Sequence, residues 1–310
     1  MKVRKPAAIA AANDAPATRQ FQLNGQMVSA PQPSAGLHIV STPIGNLGDI
    51  TLRALETLAG ANVIACEDTR VTRKLLDRYS IATPLTPYHD HNAAAARPKL
   101  LHRLSRDEAV ALVSDAGTPL ISDPGYKLVL AAHDAGHAVT AIPGPSATLA
   151  ALAVAGLATD RFFFEGFLPT RQAARRTAIG NLAQIPATLV LFESGPRLAA
   201  TLAALADGLG PREAAICREL TKLHEEVRRG QLDELAKAYL GEAVPRGEIV
   251  IVVAPPAAAA KAGKDEVDEL LRSALARVSV KDAVSEVAAF SGLPRREVYR
   301  RALNLVQGAT

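Results

Sequence analysis

Tryptophan is absent, aromatic residues make up only 4% of the 310 residues, and there are two cysteines and two methionines. So few aromatics leave little surface on which free single-stranded bases could stack. Cys66 and Cys217 lie far apart inside apolar runs, which points to reduced core thiols rather than a disulfide scaffold, as suits the cytoplasm. No C-x-x-C pair and no H-E-x-x-H occurs, so no metal centre is expected. His89-Asp90-His91, the one tempting ligand cluster, reads as a solvated loop, because alternate residues of an extended segment face opposite ways. No strand-like run is followed by G-x-G-x-x-G, and neither G-x-x-x-x-G-K-[ST] nor G-x-S-x-G is present. These absences disfavour a dinucleotide fingerprint, a phosphate-cradling NTPase and a nucleophile elbow. No stretch approaches the roughly 20 apolar residues that cross a bilayer.

What is there is a composition that can build a large core: 48% hydrophobic and 21% charged. The start, Met1-Lys2-Val3-Arg4-Lys5 followed by a short Ala-rich run behind Pro6, reads as an untargeted tail and not a signal peptide. Residues 1–36, rich in Ala, Pro, Gln and Ser, read as a disordered leader. Apolar runs at Leu37–Val40, Val63–Cys66, Ala109–Val113 and Val139–Ile142 then alternate with stretches of helical spacing. That alternation predicts βα units on a mostly parallel sheet, an N-terminal α/β domain over 37–156. A second α/β domain is expected over 157–256, with strands at Phe162–Phe164, Thr188–Phe192, Ala214–Cys217 and Ile249–Val253. Residues 257–268 read as a linker. A small basic helical domain at 269–310 should hold two helices, Lys281–Ser291 and Pro294–Leu305, in a helix-turn-helix-like pair around Gly292. From Leu270 to Thr310 seven Lys/Arg face three acids, so this segment carries as much net charge, +4, as the whole chain. This points to an anionic partner, with RNA the leading candidate.

In open α/β sheets ligands bind beyond the carboxyl ends of the strands. Four successive strand ends carry Ser41–Asp49, Glu67–Arg70, Ser114–Gly125 and Pro143–Ala147, all built from Gly, Pro and small polar or acidic residues. Glycine lets backbone approach a ligand and proline stiffens the loop, so the four together predict one pocket at one sheet edge.

The runs Ser41-Thr42-Pro43-Ile44-Gly45-Asn46-Leu47, Glu67-Asp68-Thr69-Arg70, His89-Asp90-His91-Asn92, Ser114 to Gly125 and Pro143-Gly144-Pro145-Ser146 resemble those of the bacterial 16S rRNA (cytidine-2′-O)-methyltransferases. These are S-adenosylmethionine-dependent enzymes of the tetrapyrrole-methylase-like class. The resemblance continues in order through Glu165–Pro169, Phe192–Ser194, Arg218–Lys222, Gly247–Val250 and the basic tail, roughly from Leu37 to Leu305. It implies two α/β domains with S-adenosylmethionine in the cleft between them. It also implies small-subunit 16S rRNA as partner, no membrane, and a homodimer.

Matching residue by residue, the resemblance puts cofactor contacts on Pro43, Ile44, Asp115, Thr118, Ser146 and Ala147, with Glu193, Ser194 and Glu248 as candidates from the second domain. Methyl transfer from a sulfonium is an in-line displacement, so alignment matters most and a base for the 2′-hydroxyl helps. Asp68 is the leading candidate base, with a helix N-cap as its alternative role. Arg70 either holds a phosphate or pairs with Glu67. RNA contacts are expected from Arg171, Arg175, Arg176 and Lys222 near the cleft, and from Arg295, Arg296, Arg300 and Arg301 on the last helix, four arginines without matching acids. Arg171, Arg175 and Arg176 read equally as the wet face of an amphipathic helix. Competing readings are a methylase acting on a tetrapyrrole, which the basic tail disfavours, and a non-catalytic RNA-binding module, which would not bind the cofactor.

Overall fold

The computed structural model describes residues 19–257, 264–291 and 293–307. It contains β1 (Gln20–Leu23), β2 (Gln26–Ser29), β3 (Gly36–Val40), α1 (Leu52–Gly60), β4 (Val63–Cys66), α2 (Thr69–Arg78), β5 (Leu85–Pro87), α3 (Ala93–Leu104), β6 (Ala109–Val113), α4 (Tyr126–Asp134), β7 (Val139–Ile142) and α5 (Ala147–Ala155). Then come β8 (Phe162–Phe167), α6 (Gln172–Leu182), β9 (Thr188–Ser194), α7 (Gly195–Leu209), β10 (Glu213–Arg218), β11 (Glu226–Gln231), α8 (Leu232–Gly241) and β12 (Glu248–Val253). Three helices close the chain: α9 (Lys264–Leu275), α10 (Val280–Ser291) and α11 (Arg295–Gln307).

The first sheet is wholly parallel, in the order β5-β4-β6-β3-β7. Every residue of β4 and β6 is buried, as a central parallel strand covered by helices on both faces requires. The second sheet, β11-β10-β12-β9-β8, is mixed: only β8 and β9 run parallel. β5 and β11 have no counterpart among the expected strands. β5 is three residues long, and β11 (Glu-Val-Arg-Arg-Gly-Gln) is a polar edge strand whose charges hide its pairing.

The two sheets are joined through α5. Its Ala151, Leu152 and Ala155 pack with Val190, Ala215, Cys217, Val250 and Val252 of the second sheet, and Ile44 of the first half enters the same cluster. Thus the loop after β3 is seated against the second sheet. The other apolar clusters lie on the two faces of the first sheet, on the far face of the second, and among the last three helices.

Two sequence expectations are corrected. The stretch 1–36 is not all unstructured: residues 20–29 form the β1–β2 hairpin, turned at Asn24 (φ 50°) and Gly25 (φ +81°), the pair of positive dihedrals a tight hairpin needs. Phe21 is fully buried beside α1, which contributes about 1.5–3 kcal/mol, and the Gln22 amide donates to the Tyr79 carbonyl at 2.7 Å. The remainder of that leader, residues 1–18, lies outside the described residues. Among the described residues the tail holds three helices where two were expected: α9 begins at Lys264, inside the expected linker, because Val267, Leu271 and Ala274 recur at helical spacing and fill the core of the tail. Residues 258–263 of that linker, and Gly292, lie outside the described residues.

Candidate functional site

The carboxyl ends of β3, β4, β6 and β7 come together as the loops predicted, and hydrogen bonds knit them. Thr42 and Gly117 exchange backbone hydrogen bonds at 2.9 and 3.0 Å, tying the loop after β3 to the loop after β6. The Thr118 hydroxyl donates to the Pro145 carbonyl (3.2 Å), and with its one proton so used it accepts from the Ser41 hydroxyl at 3.0 Å. Ser146 caps α5 by accepting from the Leu149 amide.

These loops form one wall of a cavity of about 370 Å³, a volume in the range of small-molecule sites. From the first half it is lined by Ile44, Glu67, Asp115 to Thr118, Ile121 to Asp123 and Ser146 to Thr148. The opposite wall comes from the second sheet: Phe167, Phe192, Glu193, Cys217, Leu220 and Glu248 to Val250. Phe167 and Phe192 meet edge to face, with ring centres 5.6 Å apart. Among these residues are five carboxylates and no lysine, arginine or histidine. The cavity is therefore apolar with a one-signed charge, suited to a ligand that is cationic where it meets the acids.

Of the expected cofactor contacts, Ile44, Asp115, Thr118, Ser146, Ala147, Glu193 and Glu248 line this cavity, whereas Pro43 and Ser194 do not. Pro43 lies one residue before the lining, in the loop whose Ile44 is buried. Ser194 is the N-cap residue of α7. Glu193 is mostly committed elsewhere. It accepts from the Thr201 hydroxyl at 2.6 Å and the Ser194 amide at 2.8 Å, and Arg197 Nε stands 3.3 Å away. That carboxylate braces β9 against α7 at the cavity edge.

The catalytic expectation changes most. Asp68 is the N-cap of α2, accepting from the Arg70 amide at 2.8 Å, and it is also gripped by the Arg70 guanidinium at 2.6 Å. Arg70 thus pairs with Asp68, not with Glu67. The hydrogen bond from the Arg70 side chain pulls the Asp68 carboxyl down to about 2, which makes it a weak proton acceptor. The strand order does bring Asp68 to the Asp115 loop: its amide donates to Asp115 Oδ1 at 3.0 Å. The residues missed in the sequence are Glu67 and Asp123. Burial, and then the neighbouring Asp115 and Asp123 charges, push the Glu67 carboxyl up. Burial also raises Asp123, opposed by the Ser114 hydroxyl and reinforced by Asp115. Their position directly after β4 and in the loop after β6 was the available signal.

Lys222 is not a free cation. Its Nζ donates to Glu219 and to Glu248, each at 2.7 Å. Burial pulls its pKa down, but the two carboxylates outweigh this and hold it above the usual lysine value. Its aliphatic stem crosses Gly45, where a Cβ would stand 2.5 Å from Lys222 Cγ, so the close approach of the two halves here needs glycine. Arg171, Arg175 and Arg176 sit at the start of α6 and have no carboxylate partner among the described residues. On α11, Arg295, Arg296 and Arg300 are exposed. Arg301 departs from the expectation of unmatched arginines: it is largely buried, within 3.7 Å of Asp268 and 3.5 Å of Glu297. No group of metal-ligating side chains occurs among the described residues, and none of their helices is long and apolar enough to cross a membrane.

The tetrapyrrole (corrin/porphyrin) methylase family matches residues 36–236, and the RsmI C-terminal HTH domain matches residues 261–305. The chain belongs to the family of the ribosomal RNA small subunit methyltransferases I, within the tetrapyrrole methylases. It is 53% identical over 270 residues to the Ribosomal RNA small subunit methyltransferase I of Mesorhizobium japonicum, covering 87% of this chain and 92% of that one. To the protein of the same name from Synechocystis sp. it is 46% identical, over 87% of this chain and 98% of the other. Among solved structures, its fold is similar to a uroporphyrin-III C-methyl transferase from Thermus thermophilus complexed with S-adenosyl homocysteine. The TM-score there is 0.50 at 21% identity, over 70% of this chain and 96% of that one. The helical tail belongs to the match with the ribosomal RNA enzymes.

Proposed function

We propose that this chain methylates the ribose 2′-hydroxyl of a cytidine in 16S rRNA of the small ribosomal subunit, using S-adenosylmethionine held in the cavity between the two sheets. The observation that carries the reading is that cavity: apolar walls and five carboxylates, three of which (Glu67, Asp115 and Asp123) have no ion-pair partner among the described residues, in a chain whose relatives at 46–53% identity bear the ribosomal RNA methyltransferase name. A sulfonium is the kind of cation such a lining favours. Bound there, S-adenosylmethionine supplies an electrophilic methyl group on a good leaving group. Ile44, Phe167 and Phe192 exclude water around it, and Thr118 and Ser146 fix the loops that orient it. Asp115, Ala147 and Glu248 complete the contacts, with Lys222 holding Glu248 in place.

The acidic lining repels phosphate, so the RNA backbone must be gripped outside the cavity while the ribose enters. Arg171, Arg175 and Arg176 at the start of α6, and Arg295, Arg296 and Arg300 on α11, are placed to do so. Recognition is then of RNA shape and phosphate, with the 2′-hydroxyl as the reacting group. The tail from α9 onward forms the RNA-binding appendage to the two α/β domains. The enzyme acts in the cytoplasm, where ribosomal subunits are, and as a homodimer. The exposed apolar side chains of Leu149 and Val154 on α5 and Phe162 and Phe163 on β8 support a subunit contact.

Calorimetry with S-adenosylmethionine, followed by a radiolabelled transfer assay, tests the reading. Binding of one cofactor per chain and transfer to small subunits are expected. Transfer to a tetrapyrrole but not to subunits would overturn it, and absence of cofactor binding would leave only an RNA-binding module.

A further inference from the structure

The reaction leaves a proton to be placed, and the expected acceptor, Asp68, is already bound to the α2 amide and to Arg70. Of the five carboxylates lining the cavity, Glu248 is held by Lys222 and Glu193 by Thr201, Ser194 and Arg197. Asp115 accepts the Asp68 amide. Asp123 lies beside the Ser114 hydroxyl on the long loop after β6. Glu67 alone is fixed directly behind a buried strand, half-buried against the cavity, with no hydrogen-bond donor on its carboxylate among the described residues.

Resting on the methyltransferase reading, we propose that Glu67 is the general base, the carboxylate that takes the proton from the ribose 2′-hydroxyl as the methyl group transfers. In that step the ribose O–H bond breaks and its proton passes to a Glu67 carboxylate oxygen. The oxygen's electron pair forms the O–CH₃ bond, and the S–CH₃ bond breaks with its pair remaining on sulfur. A sulfonium and a carboxylate thereby become a neutral thioether and a neutral carboxylic acid. Glu67 then returns the proton to water.

The surroundings favour this direction of transfer. Burial and the charges of Asp115, Asp123, Asp90 and Asp68, in that order, all raise the proton affinity of Glu67. They reach it from three sides: Asp68 from the start of α2, Asp90 from the loop after β5, and Asp115 and Asp123 from the loop after β6. A reaction that cancels opposite charges in a poorly solvated space is helped by desolvation that penalises the charged reactants. Among the described residues no donor occupies the Glu67 carboxylate, so it is open to accept the ribose hydroxyl.

The test uses the full chain with Glu67→Gln and Glu67→Asp, assembled small subunits, and S-adenosylmethionine. Calorimetry should give Glu67→Gln a cofactor affinity within about threefold of the parent. Single-turnover transfer should fall by roughly 10²–10⁴-fold, the usual contribution of a positioned base, and climb with pH as hydroxide substitutes. Glu67→Asp should recover part of the rate. Transfer by Glu67→Gln within threefold of the parent would overturn the assignment while leaving the methyltransferase reading intact. Loss of cofactor binding by a folded Glu67→Gln would overturn it too, placing Glu67 among the cofactor contacts. If neither variant folds, the parent's pH–rate profile decides. A single ascending acid limb is expected, and a flat profile from pH 5 to 8 would refute the base. A parent that binds no S-adenosylmethionine would instead sink the underlying reading.

Discussion

Replacing Asp115 with asparagine separates the two tasks assigned to the acidic cavity. The exchange removes one charge yet keeps an oxygen for the Asp68 amide, which now donates to Asp115 Oδ1 at 3.0 Å, so the start of α2 should hold. A hydrogen bond to a charged group is worth about 1.5–3 kcal/mol, equivalent to roughly ten- to hundredfold in affinity. Because Asp115 is exposed, solvent screening should hold the loss of S-adenosylmethionine affinity near the lower end, about tenfold. The second effect is on Glu67. After burial, Asp115 is the largest influence raising its proton affinity. Without that charge the Glu67 carboxyl ionises at lower pH, so the acid limb of the transfer rate should move to lower pH. Calorimetry reads the first effect, and single-turnover rates at saturating cofactor from pH 4.5 to 8 read the second. Unchanged affinity would mean that the cavity is not the cofactor site. An acid limb that stays in place or moves up would refute the electrostatic coupling to Glu67.

Three further outcomes are expected of the same structure. Thr201→Val removes the 2.6 Å hydrogen bond to buried Glu193 without changing volume much, and should cost about 1–3 kcal/mol in urea unfolding; an unchanged midpoint would show that the contact contributes nothing. Cys217, pushed up to about 11 by burial beneath the cavity, should be about 10⁻³ thiolate at pH 8, where an ordinary thiol is roughly a quarter ionised. A thiol-specific reagent should therefore find no fast-reacting Cys217 until the protein is unfolded. On α11, Arg300→Ala should lower RNA affinity and flatten its log–log salt dependence by about one ion, whereas Arg301→Ala, which strips Asp268 and Glu297 of their partner, should chiefly lower the melting temperature of the tail.

Four of the five strands of the first sheet, all but β5, and the loops after them were legible because they are short apolar runs, each followed by Gly, Pro and small polar or acidic residues. The β1–β2 hairpin carried its own signal, Asn24-Gly25 between alternating residues, but stood inside a segment whose overall composition suggests disorder. β11 was hidden because an edge strand exposes its charges. The fates of single side chains were least legible. Nothing in the order of residues says that Arg70 turns back to Asp68, that Thr201 reaches Glu193 across a strand–helix junction, or that Lys222 is spent on two glutamates. Those are choices made by tertiary packing, and they moved the base from Asp68 to its neighbour and removed Lys222 and Arg301 from the free cations.

The claim that this chain modifies a cytidine ribose in the small subunit is tested most directly by mapping 2′-O-methyl groups in 16S rRNA from cells with and without the gene. Loss of methylation at one cytidine, restored when the full chain and S-adenosylmethionine are added to the deficient subunits, is the result predicted. A 2′-O-methylation pattern identical in the two strains would contradict the account.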